Sequence, residues 1–187
     1  MKWILTLIVA LSAQVSLASE AGWIFNTSEL TSFASQPELA QLDWKVGDRA
    51  DYLVDMGFLK GTLVMHVREW VAEGPWIEQN IEMMGQKQKV EILFDKNDGS
   101  IITMIVNGQK QEVPKNNSEI EDMKEAKVTV PAGTFDCIYV KIKDLDKNQS
   151  SEAWINPQLI PIAGMLQQKA PSQFGTVTVQ LKSFVKN

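Results

Sequence analysis

The side chains able to do chemistry are few in this 187-residue chain, which holds one Cys, one His, 23 acidic and 18 basic residues. Cys137 sits in the run Phe135 to Lys143. A nucleophilic thiol needs a base or a cation within hydrogen-bond reach, and the only histidine, His66, is distant in sequence. Cys137 is therefore expected to be a buried, inert small hydrophobe. His66 alternates onto a face with Val64, Arg68 and Trp70, a surface or rim position rather than that of a catalytic base. Ser-His-Asp chemistry would need that histidine, and no Gly-x-Ser-x-Gly elbow supplies the serine. One Cys and one His make neither an internal disulfide nor a zinc site of several imidazoles and thiolates. The pairs Glu78 with Glu82, Glu119 with Glu121 and Asp144 with Asp146 could divide acid and base roles. Alternating strand faces and polar turns leave such pairs solvated and unshifted, which argues against a glycosidase. Met83 and Met84 are adjacent, so on a strand they point to opposite faces and cannot chelate one soft metal ion. No Gly-rich phosphate loop is present. The net charge of −5 argues against binding of duplex nucleic acid. No catalytic residue, metal ligand or cofactor site is expected.

The apolar residues say more. Trp44, Trp70, Trp76 and Trp154 lie within or beside expected strands. Leu159-Ile160-Pro161-Ile162-Ala163-Gly164-Met165-Leu166 is the longest apolar run after the N-terminal stretch. Two readings of that run stay open. It is a strand buried on both sides, or it is a lid or docking loop at the mouth of a barrel. The second reading makes Trp154, Leu159, Ile160, Ile162, Met165 and Leu166 a candidate site for an apolar ligand or a partner.

The elements that would position these residues are legible as a period of two. Leu63, Met65, Val67 and Val71 share a face, then Ile77, Ile81 and Met83, then Val90, Ile92 and Phe94, then Ile101, Thr103 and Ile105. Val128 and Val130, Ile138 to Ile142 and Val177 to Leu181 follow. Gly74-Pro75, Asn97-Asp98-Gly99, Asn107-Gly108 and Pro131-Ala132-Gly133 punctuate the runs with residues that tolerate tight connections. Short turns cannot carry parallel crossovers, so the fold class is mainly β: an antiparallel meander of about nine to ten strands curled into a barrel or half-barrel. Ser28 to Leu42, with Leu30, Phe33, Leu39 and Leu42 spaced among polar residues, predicts a short N-terminal helical segment over about 28–42. Asn116 to Lys127 is a polar interruption in which Ser118 and Glu121 resemble a capping box opening a helical turn. Residues 19–187 form a single domain.

The turn Pro131-Ala132-Gly133 has a mechanism of its own. Pro131 fixes φ, Gly133 accepts a left-handed conformation and Phe135 returns to the core, giving a type I turn with a glycine bulge. Val128-Thr129-Val130-Pro131-Ala132-Gly133-Thr134-Phe135, followed by Trp154, by Gly164-Met165-Leu166 and by a closing strand to Phe184, resembles a family of exported bacterial proteins of unknown function. Its members carry a V-x-V-P-A-G-x-F turn and a later Trp. The resemblance implies a β-barrel or half-barrel and an envelope location, and brings no catalytic residues. The connection Asn156-Pro157 to Pro161 is longer than the family pattern.

Met1-Lys2 followed by an apolar run to Leu11 and by Ser16-Leu17-Ala18 reads as a secretory signal peptide over 1–18, cleaved after Ala18. Ser12 and Gln14 interrupt the run too soon for a transmembrane anchor. The periplasm of a Gram-negative bacterium is the expected compartment, with no membrane anchor after processing. The leading expectation is a non-enzymatic periplasmic protein binding a lipid or another apolar molecule, or an envelope component. The alternative is an interaction or structural module of the envelope with a filled core.

Overall fold

The computed structural model describes residues 43–113, 117–172 and 175–187; the expected signal peptide and the helical segment over 28–42 lie outside them. Among the described residues eleven strands follow one another: β1 (Arg49–Asp55), β2 (Lys60–Trp70), β3 (Pro75–Met83), β4 (Gln86–Phe94), β5 (Ile101–Val106), β6 (Gln109–Gln111), β7 (Ser118–Val130), β8 (Gly133–Asp144), β9 (Gln149–Ile155), β10 (Met165–Ser172) and β11 (Gly175–Val185). They form one sheet in the order β6-β5-β4-β3-β2-β1-β11-β10-β9-β8-β7. The expected single meander is thus two, β1 to β6 and β7 to β11, joined where β1 pairs with β11. The sheet is open and not a closed barrel. Every neighbouring pair is antiparallel, so the two edge strands β6 and β7 run in the same sense and cannot pair antiparallel with each other. Among the described residues no helix is long and apolar enough to cross a membrane.

Strand alternation accounts for the burial. In β1, Ala50, Tyr52 and Val54 are buried while Arg49 and Leu53 are exposed. β3 and β9 alternate in the same way. Tight turns set the registers: Met84-Gly85 and Asn107-Gly108 both take positive φ (53° and 75°, 49° and 81°), the geometry of two-residue hairpins. The main apolar cluster draws on β1 to β5, β10 and β11 and reaches Val128, Val130 and Cys137. A second, smaller cluster holds Val140, Ile142, Ala153 and Ile155 with Ile138 beside it. Successive residues of a strand point to opposite faces, so Cys137 serves the main cluster from one side of β8 and Ile138, Val140 and Ile142 serve the second from the other.

Three expectations need correction. Residues 118–127 are strand, not a helical turn, because β7 runs unbroken from Ser118 to Val130. Residues 159–164 are not strand; β10 begins at Met165. Gly133 takes positive φ (140°) but pairs with Val130 in regular register, so Pro131-Ala132 is a two-residue loop without a bulge. Neither Pro131 nor Ala132 takes positive φ, as a type I turn requires.

Candidate functional site

The candidate apolar residues do not share a surface. Ile160, Ile162, Met165 and Leu166 are at most 1% exposed and belong to the main cluster. Trp154 is half-buried, edge-on to Tyr139 (ring centroids 5.2 Å apart) and beneath the Lys169 ammonium. Only Leu159 is exposed. The connection between β9 and β10 folds inward because Asn156 organises it: its side-chain carbonyl accepts from Leu159 N–H (3.0 Å) and its amide donates to Asp136 O (3.0 Å). Its backbone N–H donates to Gly164 O (2.7 Å), closing the loop. Ile162, Ala163 and Gly164 then take three consecutive left-handed conformations (φ 56°, 65° and 69°). For Ile and Ala that conformation costs about 1–2 kcal/mol each, and burying Ile160 and Ile162 returns about 1.5–3 kcal/mol each. Burial outweighs the strain. A Cβ on Gly164 would lie 2.5 Å from Pro157 Cα and N, so glycine is required there.

The Val130 to Gly133 turn meets the same end of the sheet. Ala132 N–H donates to Leu181 O (3.1 Å), and Phe135 packs against the main cluster. Asp48, fully buried, accepts from Lys45 N–H (2.9 Å) and from Asn187 N–H (2.8 Å), which fastens the C-terminus beside the start of β1. Tyr52 reaches inward and donates to Met165 O (3.2 Å); burial raises its hydroxyl well above the usual range. This end of the molecule is closed by its own chain.

Residues capable of chemistry stand apart from one another. The Cys137 thiol is buried and donates to Ala126 O (3.5 Å); burial and then the Asp136 charge raise it, away from thiolate. His66 lies opposite Glu78 in the β2–β3 register. Burial alone would raise Glu78, but hydrogen bonds from Lys89 and Asn80 outweigh it and hold the carboxyl below its ordinary value. Arg68 is paired with Glu91 and with Glu69 and lies over Trp76. One member of each acidic pair, Glu78, Glu121 and Asp144, is held below its ordinary value where a solvated, unshifted group was expected, which suits an ion pair and not a proton donor. Among the described residues no three His, Cys, Asp or Glu are grouped to hold a metal ion.

The sheet's two edges differ. At β6, Gln109, Lys110 and Gln111 are polar, exposed and only three residues long. At β7, Ile120 (42% exposed) and Met123 (60%) lie opposite Ile142 and Val140 of the second cluster and continue its face into solvent. A bulge between Ile120 and Asp122 sets Glu121 aside from the ladder, where it pairs with Lys141 (3.0 Å) and accepts from Ser150 (2.9 Å). Asp122 pairs with Lys124 (2.7 Å), while Glu119 and Glu125 have no ion-pair partner among the described residues. Antiparallel ladders alternate bonded and non-bonded pairs. The two-residue loop makes Val130 and Gly133 a bonded pair, and Leu145 N–H donates to Asn117 O (2.9 Å) at the other end. Counting inward from both ends, Ile120, Met123 and Glu125 occupy non-bonded positions and turn their N–H and C=O groups to the open edge. The sequence pattern did not reveal this segment, because the bulge spaces Ile120 and Met123, which share a face, by three and imitates a helix.

The class defined by this arrangement is an open, all-antiparallel β-sheet domain with unequal edges. No family model matches the chain, and no curated protein matches it in sequence. Among solved structures, the hypothetical protein CT021 from Chlamydia trachomatis shares the fold (TM-score 0.50, 12% identity, covering 78% of this chain and 89% of that one). A candidate exported protein with a YmcC-like fold from Bacteroides fragilis matches at TM-score 0.40 and 12% identity over 76% of this chain and 97% of that one. MucB, solved in complex with MucA from Pseudomonas aeruginosa, matches at TM-score 0.46 and 13% identity; the match spans 86% of this chain and 57% of that one.

Proposed function

We propose that the chain is a non-enzymatic protein-interaction module of the periplasm whose interior is filled by its own side chains. The observation that carries this reading is the placement of Ile160, Ile162, Met165 and Leu166: the apolar run that would line the mouth of a carrier is core. Of the other two residues expected at a carrier's mouth, Trp154 is held between Tyr139 and Lys169, and Leu159 alone is exposed. The secretory pattern of residues 1–18 and the V-x-V-P-A-G-x-F turn support an envelope location.

Native mass spectrometry on protein purified from its own host tests the reading. A protein-sized adduct is the expected result. A stoichiometric adduct of a lipid or another small apolar molecule, lost on denaturation, overturns it in favour of a carrier.

A further inference from the structure

We propose that the open edge of β7 between Glu119 and Glu125 takes an extended segment of a partner protein as an added antiparallel strand, apolar at its centre and carrying Lys or Arg toward both ends. This rests on the interaction-module reading and names its site and the chemistry of its partner.

Three features converge on one short stretch. The main-chain groups of Ile120, Met123 and Glu125 face outward, and in an antiparallel ladder each such residue exchanges both bonds with a single opposite residue. Main-chain pairing supplies affinity in strand addition, and side chains at alternate positions supply selectivity. Ile120 and Met123 stand beside Val140 and Ile142, which are at most 2% exposed, so an added strand with apolar residues on that side prolongs a face already buried. Glu125 shares the face of Ile120 and Met123, while Glu119 lies at the other end of the stretch on the opposite face, across from Lys143; neither forms an ion pair among the described residues. Basic groups near the ends of the added strand would meet them.

Other occupants fit less well. A second copy would bring two acidic edges together, since Ser118 to Glu125 carries Glu119, Glu121, Asp122 and Glu125 against Lys124 alone. Residues 19–42 of the chain itself contain Glu20, Glu29 and Glu38 and no Lys or Arg. The opposite edge offers only three polar residues at β6.

The test uses the whole processed protein and two labelled nine-residue peptides, Lys-Thr-Val-Thr-Val-Thr-Val-Thr-Lys and the same peptide with Glu at both ends. The Lys-ended peptide is expected to bind at least about tenfold more tightly by fluorescence anisotropy, and to protect backbone amides only within residues 119–125 from hydrogen exchange. In the double variant Glu119→Lys, Glu125→Lys the preference between the peptides should reverse. Met123→Pro removes an outward N–H without touching the ladder to β8, and should abolish binding with an unchanged melting temperature. If that proline lowers the melting temperature, the charge-reversed variant, altered only at exposed side chains, decides instead. Equal binding of the two peptides, protection elsewhere in the sheet, or self-association of the chain through these amides overturns the proposal. A natural partner that protects a different surface overturns this site and leaves the interaction module standing. A small apolar adduct overturns the interaction module itself.

Discussion

The connection 156–164 and the edge segment 119–125 both carry isoleucine, yet in one the isoleucines became interior and in the other the apolar side chains face water. The connection carries Asn156, whose hydrogen bonds gather the loop, and Gly164, which lets the chain turn left-handed against Pro157. Its isoleucines are thereby carried beneath the sheet's end. The edge segment has a bulge instead of a loop; the bulge keeps Ile120 and Met123 on one face, and their non-bonded positions on an edge strand leave their backbone groups unpaired. Apolar content alone therefore does not decide burial. The backbone device beside it does.

The sharpest way to break the comparison is a charge placed at equivalent apolar positions of the two segments. Ile162→Asp puts an uncompensated carboxylate among side chains at most 1% exposed, which costs several kcal/mol, about 3–5, against a total stability of about 5–15 kcal/mol. Loss of the cooperative melt by circular dichroism is the expected outcome. A folded variant would show that the loop can swing out and that its isoleucines are dispensable to the core.

Glycine substitutions separate steric from conformational causes. Gly164→Ala must relieve both a left-handed φ and contacts of 2.5 Å with Pro157 backbone atoms, and should cost more than about 2 kcal/mol, lowering the melting temperature by about 5 °C or more. Gly133→Val meets only Phe135 Cζ at 3.5 Å, so its cost is the positive φ of a β-branched residue, about 1–2 kcal/mol. If the two losses are equal, the close approach to Pro157 contributes nothing and the corner is held by backbone conformation alone.

The same comparison explains how much was legible in the sequence. Period-two runs and Asn-Gly, Gly-Pro and Pro-Ala-Gly punctuation located β2, β3, β4, β5 and β8 and the all-antiparallel class, because side-chain alternation is a local property. The pairing of β1 with β11, which splits the meander in two, brings together residues such as Tyr52 and Leu181 that no local pattern links. The loop 156–164 escaped because a continuous apolar run has no period, so a buried loop and a buried strand look alike. The β7 edge escaped for the opposite reason: the extra residue at Glu121 broke the alternation and left a spacing of three.

Carboxylates fixed by the fold give a smaller, pH-dependent effect. Glu78 is held below its ordinary value by Lys89 and Asn80 against the opposing effect of burial. A lowered folded-state value means that its stabilisation is complete above the unfolded value, about 4.3, and is lost as pH falls through the lower one. Glu78→Gln should reduce the urea midpoint at pH 7 by less than about 1 kcal/mol equivalent. The two proteins should converge as the pH is taken down to the acid limit. A gap that persists undiminished at low pH would assign the loss to packing rather than to charge.

The smallest effect belongs to Met123→Asp, the counterpart at the edge of the Ile162 substitution. Met123 is 60% exposed, and its backbone donor and acceptor already face the open edge, so the new carboxylate remains hydrated and no ladder bond is disturbed. The expected change is within about 0.5 kcal/mol, the range of ordinary surface substitutions. Val140 and Ile142 constrain this expectation, because Met123 covers part of the face they occupy. If Met123→Asp lowers the denaturant midpoint by several times that amount without changing the slope, Met123 is a member of the second cluster and the edge is closed in solution. If stability holds while peptide binding is lost, the residue contributes to recognition and not to folding, which is the difference that separates an interaction edge from an incomplete core.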